Sequence, residues 1–219
     1  MEKLKIFYLK YKHAVPLIIY AIIYMTWFAW LEKNITGHYR IIHMAADDYI
    51  PYFLWFAYVS AVVIYFFFKN KEDYYRTCIF LFTGMTIFLI VSTLWPNGQH
   101  LRPAVMPRDN IFTRMVAALY RTDTPTNLWP SIHVYNSLGA HFAIIRSKCF
   151  EKKKGIRIGS LILASSIIMA TMFIKQHSVF DVLTAFVMAA VMYTLVYRYD
   201  LLIAVREFRN KRKAKPQIG

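Results

Sequence analysis

The sequence predicts an all-α membrane protein: a six-helix transmembrane bundle in a single domain that covers residues 1–219. Hydrophobic residues make up 58% of the chain and aromatic residues 17%, which is too apolar for an ordinary soluble domain. The apolar residues form six runs of spanning or near-spanning length. Lysine and arginine, which give a formal net charge of +15, fall in short blocks between those runs, as in multi-pass membrane proteins.

The six predicted spans cover residues 14–31, 49–68, 78–95, 131–145, 158–174 and 179–197. The fourth is the least hydrophobic, and it carries His133, Asn136 and His141. A polar helix of this kind belongs inside a bundle rather than against lipid. We therefore expect the fourth span to lie inside the bundle.

The basic blocks predict the orientation. They comprise the N-terminus (1–13), the loops at 69–76 and 146–157, and the tail at 198–219. Because these segments alternate with the spans, the positive-inside rule assigns all of them, and both termini, to the cytoplasm. The basic tail is expected to pair with anionic membrane lipids. No nucleic-acid recognition module is visible, so no nucleic-acid partner is expected.

The long loop between the third and fourth spans predicts one further helix, which covers 109–121. Apolar residues recur there at helical spacing, and Arg114 and Arg121 fall on the opposite face. Asp109 is the expected N-cap. The pattern is typical of a short amphipathic helix in the membrane interface.

Two distant stretches, 127–134 and 175–182, each place a histidine at the non-cytoplasmic start of an apolar run. Pro130 suits the first turn of a helix, followed there by Ser131 and His133. His177 and Asp181 are spaced i, i+4, which brings two side chains together on one helical face. A carboxylate so placed can hold an imidazole in one tautomer.

Helix N-termini attract anions, and three cations are predicted on the same face: Arg102, Arg108 and Lys175. Two imidazoles, a carboxylate and cations together predict a phosphoryl-transfer site. His133, His177 and Asp181 are also acceptable zinc ligands, so a metal site is the chemical alternative. A transporter and a non-catalytic membrane protein are the other classes left open.

Parts of three motifs of a known family occur in order. The first ends as Arg102-Pro103, the second is Pro130-Ser131-Ile132-His133, and the third ends with His177 and Asp181. The chain resembles the type 2 phosphatidic acid phosphatase superfamily, particularly its branch near the inositol phosphorylceramide synthases. The family motifs are Lys-(x)6-Arg-Pro, Pro-Ser-Gly-His and Ser-Arg-(x)5-His-(x)3-Asp.

The chain departs from these motifs at several positions. Ile132 replaces glycine, Trp95 replaces the lysine of the first motif, and Ala170 and Thr171 replace Ser-Arg in the third. Two phosphate-binding cations are therefore absent. Lys175 and Arg108 are the candidates to replace them, which leaves the charge of the substrate open.

The resemblance implies a metal-independent enzyme without a cofactor that acts on a lipid phosphate through a phosphohistidine. His177 would attack phosphorus, Asp181 would hold its ring, and His133 would protonate the leaving alcohol. The residues implied in binding the phosphoryl oxygens are Arg102, Ser131, Lys175 and Arg108. Whether water or a second alcohol accepts the phosphoryl group stays open, as do the lipid and the oligomeric state.

Overall fold

The structure is a computed structural model that describes residues 2–34, 50–99, 101–102, 109–122, 126–200, 202–203 and 207. This part of the chain is all-helical and contains no β-strand. Its α-helices are α1 (Glu2–Tyr11), α2 (Val15–Asn34), α3 (Ile50–Lys69), α4 (Lys71–Leu94), α5 (Ile111–Thr122), α6 (Ile132–Arg146), α7 (Lys154–Phe173) and α8 (Val179–Tyr193). A π-helical turn, Thr194–Arg198, continues α8.

Five helices of the described part are long and apolar enough to cross a membrane: Lys5–Asn34, Pro51–Lys69, Lys71–Leu94, Lys154–Phe173 and Val179–Arg198. The all-helical class is thereby confirmed, and the apolar helices agree with a multi-pass membrane protein. The predicted fourth span corresponds to α6, which has 15 residues. At 1.5 Å per residue α6 is roughly 22 Å long, shorter than a ~30 Å hydrocarbon core.

Helix α6 lies at the centre of the bundle and packs against α3, α4, α7 and α8. Its contact with α4 depends on two glycines. A Cβ on Gly139 would lie 2.6 Å from the ring of Phe80, and a Cβ on Gly84 would overlap the ring of Tyr135. The Phe80 and Tyr135 rings stack at 4.7 Å, and the Tyr135 hydroxyl donates to the Phe80 carbonyl at 2.7 Å. The missing side chains therefore let two aromatic rings interlock between the helices.

The bundle has two chemically different ends. At the basic end, which comprises residues 10–13, 69–76, 146–157 and 197–200, the Ser147 hydroxyl donates to Asp73 at 2.6 Å and Arg76 pairs with Asp200 at 2.7 Å. The histidine end comprises 52–55, 95–99, 126–133 and 174–181. The loops rich in lysine and arginine thus lie opposite the two histidine stretches, the relative arrangement that the charge pattern predicts.

Helix α5 starts later than the sequence suggested. It begins at Ile111, and the Asn110 side chain accepts a hydrogen bond from the Thr113 amide at 2.9 Å. The prediction of Asp109 as the N-cap was therefore wrong, because the adjacent Asn110 makes the capping bond. The Asp109 carboxylate instead pairs with Arg114 at 2.7 Å, and this hydrogen bond holds the pKa of Asp109 below its ordinary value.

Candidate functional site

The first histidine stretch is a tight loop that ends in a helix cap. Ser131 is fully buried, and its hydroxyl accepts from the Val134 amide at 3.3 Å, so α6 begins at Ile132. Pro130, expected in the first turn of the helix, instead precedes this cap because the Ser131 side chain sets the helix start. His133 is consequently the second residue of α6.

Asn97, a residue the sequence did not single out, holds this loop in place. Its side-chain oxygen accepts from the Leu128 and Trp129 amides at 2.8 and 2.9 Å. Its backbone carbonyl accepts from the Asn127 amide at 2.6 Å. The segment after α4 therefore positions the segment before α6, and with it His133.

The second histidine stretch is a turn between α7 and α8. Lys175 has a φ of 55°, in the left-handed region, and the His177 amide donates to the Thr171 carbonyl at 3.1 Å. Ser178 caps α8: its hydroxyl accepts from the Asp181 amide at 3.3 Å, and Asp181 Oδ2 accepts from the Ser178 amide at 2.8 Å. This reciprocal capping starts α8 after His177.

His177 and Asp181 thus do not share a helix, contrary to the interpretation of their i, i+4 spacing. His177 lies one residue before the cap, and Asp181 is the third residue of α8. His177 Nδ1 still faces Asp181 Oδ2 at 3.7 Å. That distance is within reach of an ion pair but longer than a hydrogen bond.

The two histidines meet directly. His133 Nδ1 lies 3.3 Å from His177 Nε2, although the residues are 44 positions apart in the chain. The three side chains therefore form a row in the order Asp181, His177, His133. In the tautomer that carries its proton on Nδ1, facing the carboxylate, His177 presents a lone pair on Nε2 towards His133.

Gln99 completes the surroundings of the carboxylate, and sequence analysis missed it. Its amide nitrogen donates to Asp181 Oδ2 and, at 3.2 Å, to the Ser178 hydroxyl. Asp181 is 1% exposed, and charge-assisted hydrogen bonds of this kind stabilise a buried carboxylate. Gln99 thus fixes the oxygen that faces His177.

Two aromatic side chains of α3 form the wall behind His133. The imidazole lies 4.8 Å from the ring of Tyr52 and 4.5 Å from the ring of Trp55, between centroids. Both residues are buried, and both were missed in the sequence. Their i, i+3 spacing at the start of the second apolar run is the signal that places them on one helical face.

The predicted phosphate-binding residues have different surroundings. Arg102 donates to the side chain of Gln176 and, at 3.2 Å, to the Tyr120 carbonyl, next to the histidine stretch of α7 and α8. Ser131 is used as the helix cap, and Lys175 is partly exposed in the turn before His177. Arg108 lies outside the described residues.

A cavity of about 420 Å³ adjoins this row on the Asp181 side. Its lining includes polar Asn97, Gln99 and Asp181 and the aromatic rings of Trp129 and Phe180, which stack at 5.9 Å. Phe180 is 62% exposed and the neighbouring Trp95 is 76% exposed. Exposed aromatic residues at one end of an apolar bundle are typical of the membrane–water interface.

The arrangement offers a nucleophilic nitrogen, an adjacent acid or base and a carboxylate behind the nucleophile. Among the described residues, no three His, Cys, Asp or Glu side chains are grouped as metal ligands. No protein-family model, curated protein or solved structure matches this chain. The candidate site therefore stands on its own geometry.

Proposed function

We propose that this chain is an integral-membrane lipid phosphate phosphatase that cleaves a phosphomonoester or diphosphate of a lipid through a phosphohistidine. The observation that carries the proposal is the 3.3 Å approach of His133 Nδ1 to His177 Nε2, with Asp181 behind His177. This row combines a nucleophile, its orienting carboxylate and a proton carrier. It lies at one end of an apolar helical bundle, where a lipid headgroup is within reach.

In the proposed reaction, His177 Nε2 attacks phosphorus. An N–P bond forms, the P–O bond to the lipid alcohol breaks, and the alcohol takes a proton from His133. Water then attacks phosphorus and gives a proton to His133. The N–P bond breaks, phosphate leaves, and His177 is free again. Asp181 stabilises the positive charge on the His177 ring during both steps.

The resting geometry implies a movement. A gap of 3.3 Å between His133 Nδ1 and His177 Nε2 leaves no room for a phosphoryl group between the rings. We expect the two imidazoles to separate when substrate enters. Tyr52 and Trp55 pack against His133 and restrict its movement. The turn at Lys175, which precedes His177, is therefore the element that can move.

The oxygens of the phosphoryl group need positive partners. The starts of α6 and α8 lie beside the two histidines, and helix N-termini favour anions. Arg102 and Lys175 add charge near His177, and Arg108 is the third candidate. The two helix ends and these cations give the substrate phosphate a positive environment without a metal ion.

The motif residues support placing the chain near the type 2 phosphatidic acid phosphatases, with a metal-independent reaction and no cofactor. We expect turnover of a lipid phosphate to survive incubation with EDTA, which removes divalent cations. Complete loss of activity that zinc or magnesium restores would instead support the metal-site alternative.

The proposal includes the six-span topology, with α6 as the fourth span. Both termini lie in the cytoplasm and the site opens on the other face of the cell membrane. The support is the separation of the basic loops from the histidine end, together with the positive-inside rule. Helix α5 would then lie in the outer interface, with Val116 packed against Tyr52 and Ile174 and with Arg114 exposed.

A lipid phosphotransferase is the second candidate, as in the inositol phosphorylceramide synthase branch. The cavity of about 420 Å³ favours it, because it offers room for an acceptor alcohol beside Asp181, at one end of the row. In that reaction the acceptor hydroxyl replaces water in the second step and gives its proton to His133.

One experiment tests both candidates. Purified protein is incubated with phosphatidate, phosphatidylglycerophosphate, a polyprenyl diphosphate or a phosphosphingolipid, with and without an alcohol acceptor, and the products are identified by mass spectrometry. Free phosphate supports a phosphatase, and a new phosphate ester of the added alcohol supports a transferase. No product from any lipid, or products unchanged in His177→Ala, would contradict the proposal and leave a transporter or a non-catalytic protein.

A further inference from the structure

A second cavity, of about 290 Å³, lies at the basic end between α3 and α7. It is separate from the histidine row, which lies at the other end of the same helices. Its walls are almost entirely apolar and include Val62, Tyr65, Phe66, Phe150 and Leu163. An apolar cavity in a membrane-spanning bundle is suited to a hydrocarbon chain.

Two hydroxyls in its wall, those of Tyr58 and Ser160, are already paired. The Tyr58 hydroxyl and the Ser160 hydroxyl lie 2.6 Å apart, and the Ser160 oxygen lies 2.9 Å from His141 Nδ1. A hydroxyl engaged on both sides presents little polarity to an occupant. The network therefore makes the inner part of the cavity effectively apolar.

A glycine helps to form the cavity. Gly159 lines it, and a Cβ built on Gly159 meets no atom within 4 Å. Gly155, one turn earlier on α7, also faces open space but does not line the cavity. A Cβ at residue 159 would therefore start in open space beside the cavity, with no neighbouring atom to displace.

The depth of the cavity matches one leaflet. Along α3 the lining runs from Tyr58 to Phe66, which at 1.5 Å per residue is about 12 Å. Half of a ~30 Å hydrocarbon core is about 15 Å. An acyl chain entering from the basic end would thus be held within the leaflet on that side.

The mouth of the cavity is positively charged. Lys69 follows Tyr65 and Phe66 at helical spacing on α3 and is exposed. Lys153 Nζ lies 5.7 Å from the centre of the Phe150 ring, which is part of the lining. The connection at 146–157 holds six lysines and arginines and a single acidic residue, Glu151.

We propose that this cavity binds an anionic phospholipid of the leaflet that faces the basic end. One acyl chain occupies the cavity, and the phosphate lies between Lys69 and Lys153. Basic pockets between transmembrane helices bind anionic headgroups in this way. The site is independent of the proposed phosphatase reaction, because none of its residues belongs to the histidine row.

The test uses full-length protein in phosphatidylcholine vesicles that contain a photoactivatable phosphatidylglycerol. Crosslinks are mapped on α3 and α7, and unlabelled phosphatidylglycerol, phosphatidylcholine or inorganic phosphate is added as competitor. Phosphatidylglycerol should compete best. Gly159→Leu should reduce crosslinking about tenfold because it fills the apolar cavity, whereas Gly155→Leu, the matched control, should leave it unchanged.

A charge variant provides an independent test if the bulky residue disturbs folding. Lys69→Gln with Lys153→Gln should reduce the preference for phosphatidylglycerol over phosphatidylcholine about fivefold or more, and Lys33→Gln at the histidine end should not. Equal competition by phosphatidylcholine, or crosslinks unaffected by both variants, would overturn the proposal. It would also be overturned if inorganic phosphate displaced the lipid, or if protein–protein crosslinks at residue 159 showed a second copy there.

Discussion

Two of the buried clusters that include histidine, one in the core and one at the site, differ in how well their polar atoms are paired. In the core cluster, Tyr58, Ser160 and His141 are joined by hydrogen bonds of 2.6 and 2.9 Å. In the site cluster, His177 Nδ1, Trp55 Nε1 and Gln176 Nε2 have no hydrogen-bond partner among the described residues.

This difference indicates what each histidine is for. Buried polar groups without partners destabilise a folded protein, so they persist where function needs them. A hydrogen-bonded network such as Tyr58–Ser160–His141 rigidifies the core. In the proposed reaction, His177 Nε2, which lies 3.3 Å from His133 Nδ1, carries the chemistry, and the hydrogen-bonded His141 has a packing role.

The largest expected effect comes from His177→Ala. We expect turnover of the lipid phosphate and formation of phosphoenzyme to fall by about 10⁴-fold or more, because the variant lacks the nucleophile. The measurements are phosphate release and trapping of the acid-labile phosphoenzyme. His141→Ala is the matched control and should retain turnover; loss of turnover in both variants with an intact fold would remove the distinction between the clusters.

His133→Ala should have the next largest effect, and a different one. The variant lacks the proton carrier, so hydrolysis of a lipid phosphate should slow by about 10²–10⁴-fold. With an activated ester whose leaving group needs no proton, the first step should still run, and a phosphoenzyme should accumulate because attack by water lacks its base. Phosphoenzyme in His177→Ala but never in His133→Ala would show that the roles are reversed.

Gln99→Ala tests how the carboxylate is positioned. Without the amide, the hydrogen bond to Asp181 is lost, the carboxylate oxygen that faces His177 is held less firmly, and we expect kcat to fall about tenfold. KM should change little, because Gln99 acts through Asp181. Gln99→Glu should lower kcat further, since it adds a like charge beside Asp181. A kcat equal to that of the wild type in both variants would show that Gln99 has no positioning role.

Local signals in the sequence were sufficient to predict much of this molecule. The apolar runs predicted the long helices, the polar fourth run predicted the buried α6, and the basic blocks predicted which loops share an end. The same alternation of basic blocks put both histidine stretches on one face and so predicted that His133 and His177 share a site. The apolar and polar runs are patterns within one segment, whereas the charge alternation extends along the whole chain.

Other features depend on contacts between segments, which a single sequence does not record. Tyr52, Trp55 and Gln99 reach the site from α3 and from the segment after α4, and no local pattern distinguishes them from other aromatic or amide residues. The helix starts at Ile132 and Ile111 were misjudged for a different reason. Which side chain makes the capping bond depends on the local backbone: Asn110 rather than Asp109 caps α5, and Ser131 caps α6, so that Pro130 precedes the helix.

The smallest effect should come from the core cluster. Ser160→Ala removes the hydroxyl that joins Tyr58 and His141, which leaves two buried polar atoms without a partner. We expect a loss of about 1–3 kcal/mol in stability, seen as a lower apparent melting temperature, with turnover unchanged. Ser166→Ala is the matched control, because the Ser166 hydroxyl donates only to the Leu163 carbonyl of its own helix, at 2.8 Å.

A double variant separates a lost network from a generally weakened helix. In Ser160→Ala with Tyr58→Phe, the tyrosine hydroxyl that Ser160→Ala leaves unpaired is also gone. The combined loss should therefore be smaller than the sum of the two single losses, as expected for residues that share a hydrogen bond. Strict additivity would mean that the two hydroxyls do not interact. A loss of turnover in Ser160→Ala at unchanged stability would mean that the core cluster takes part in the chemistry and that pairing does not separate the two clusters.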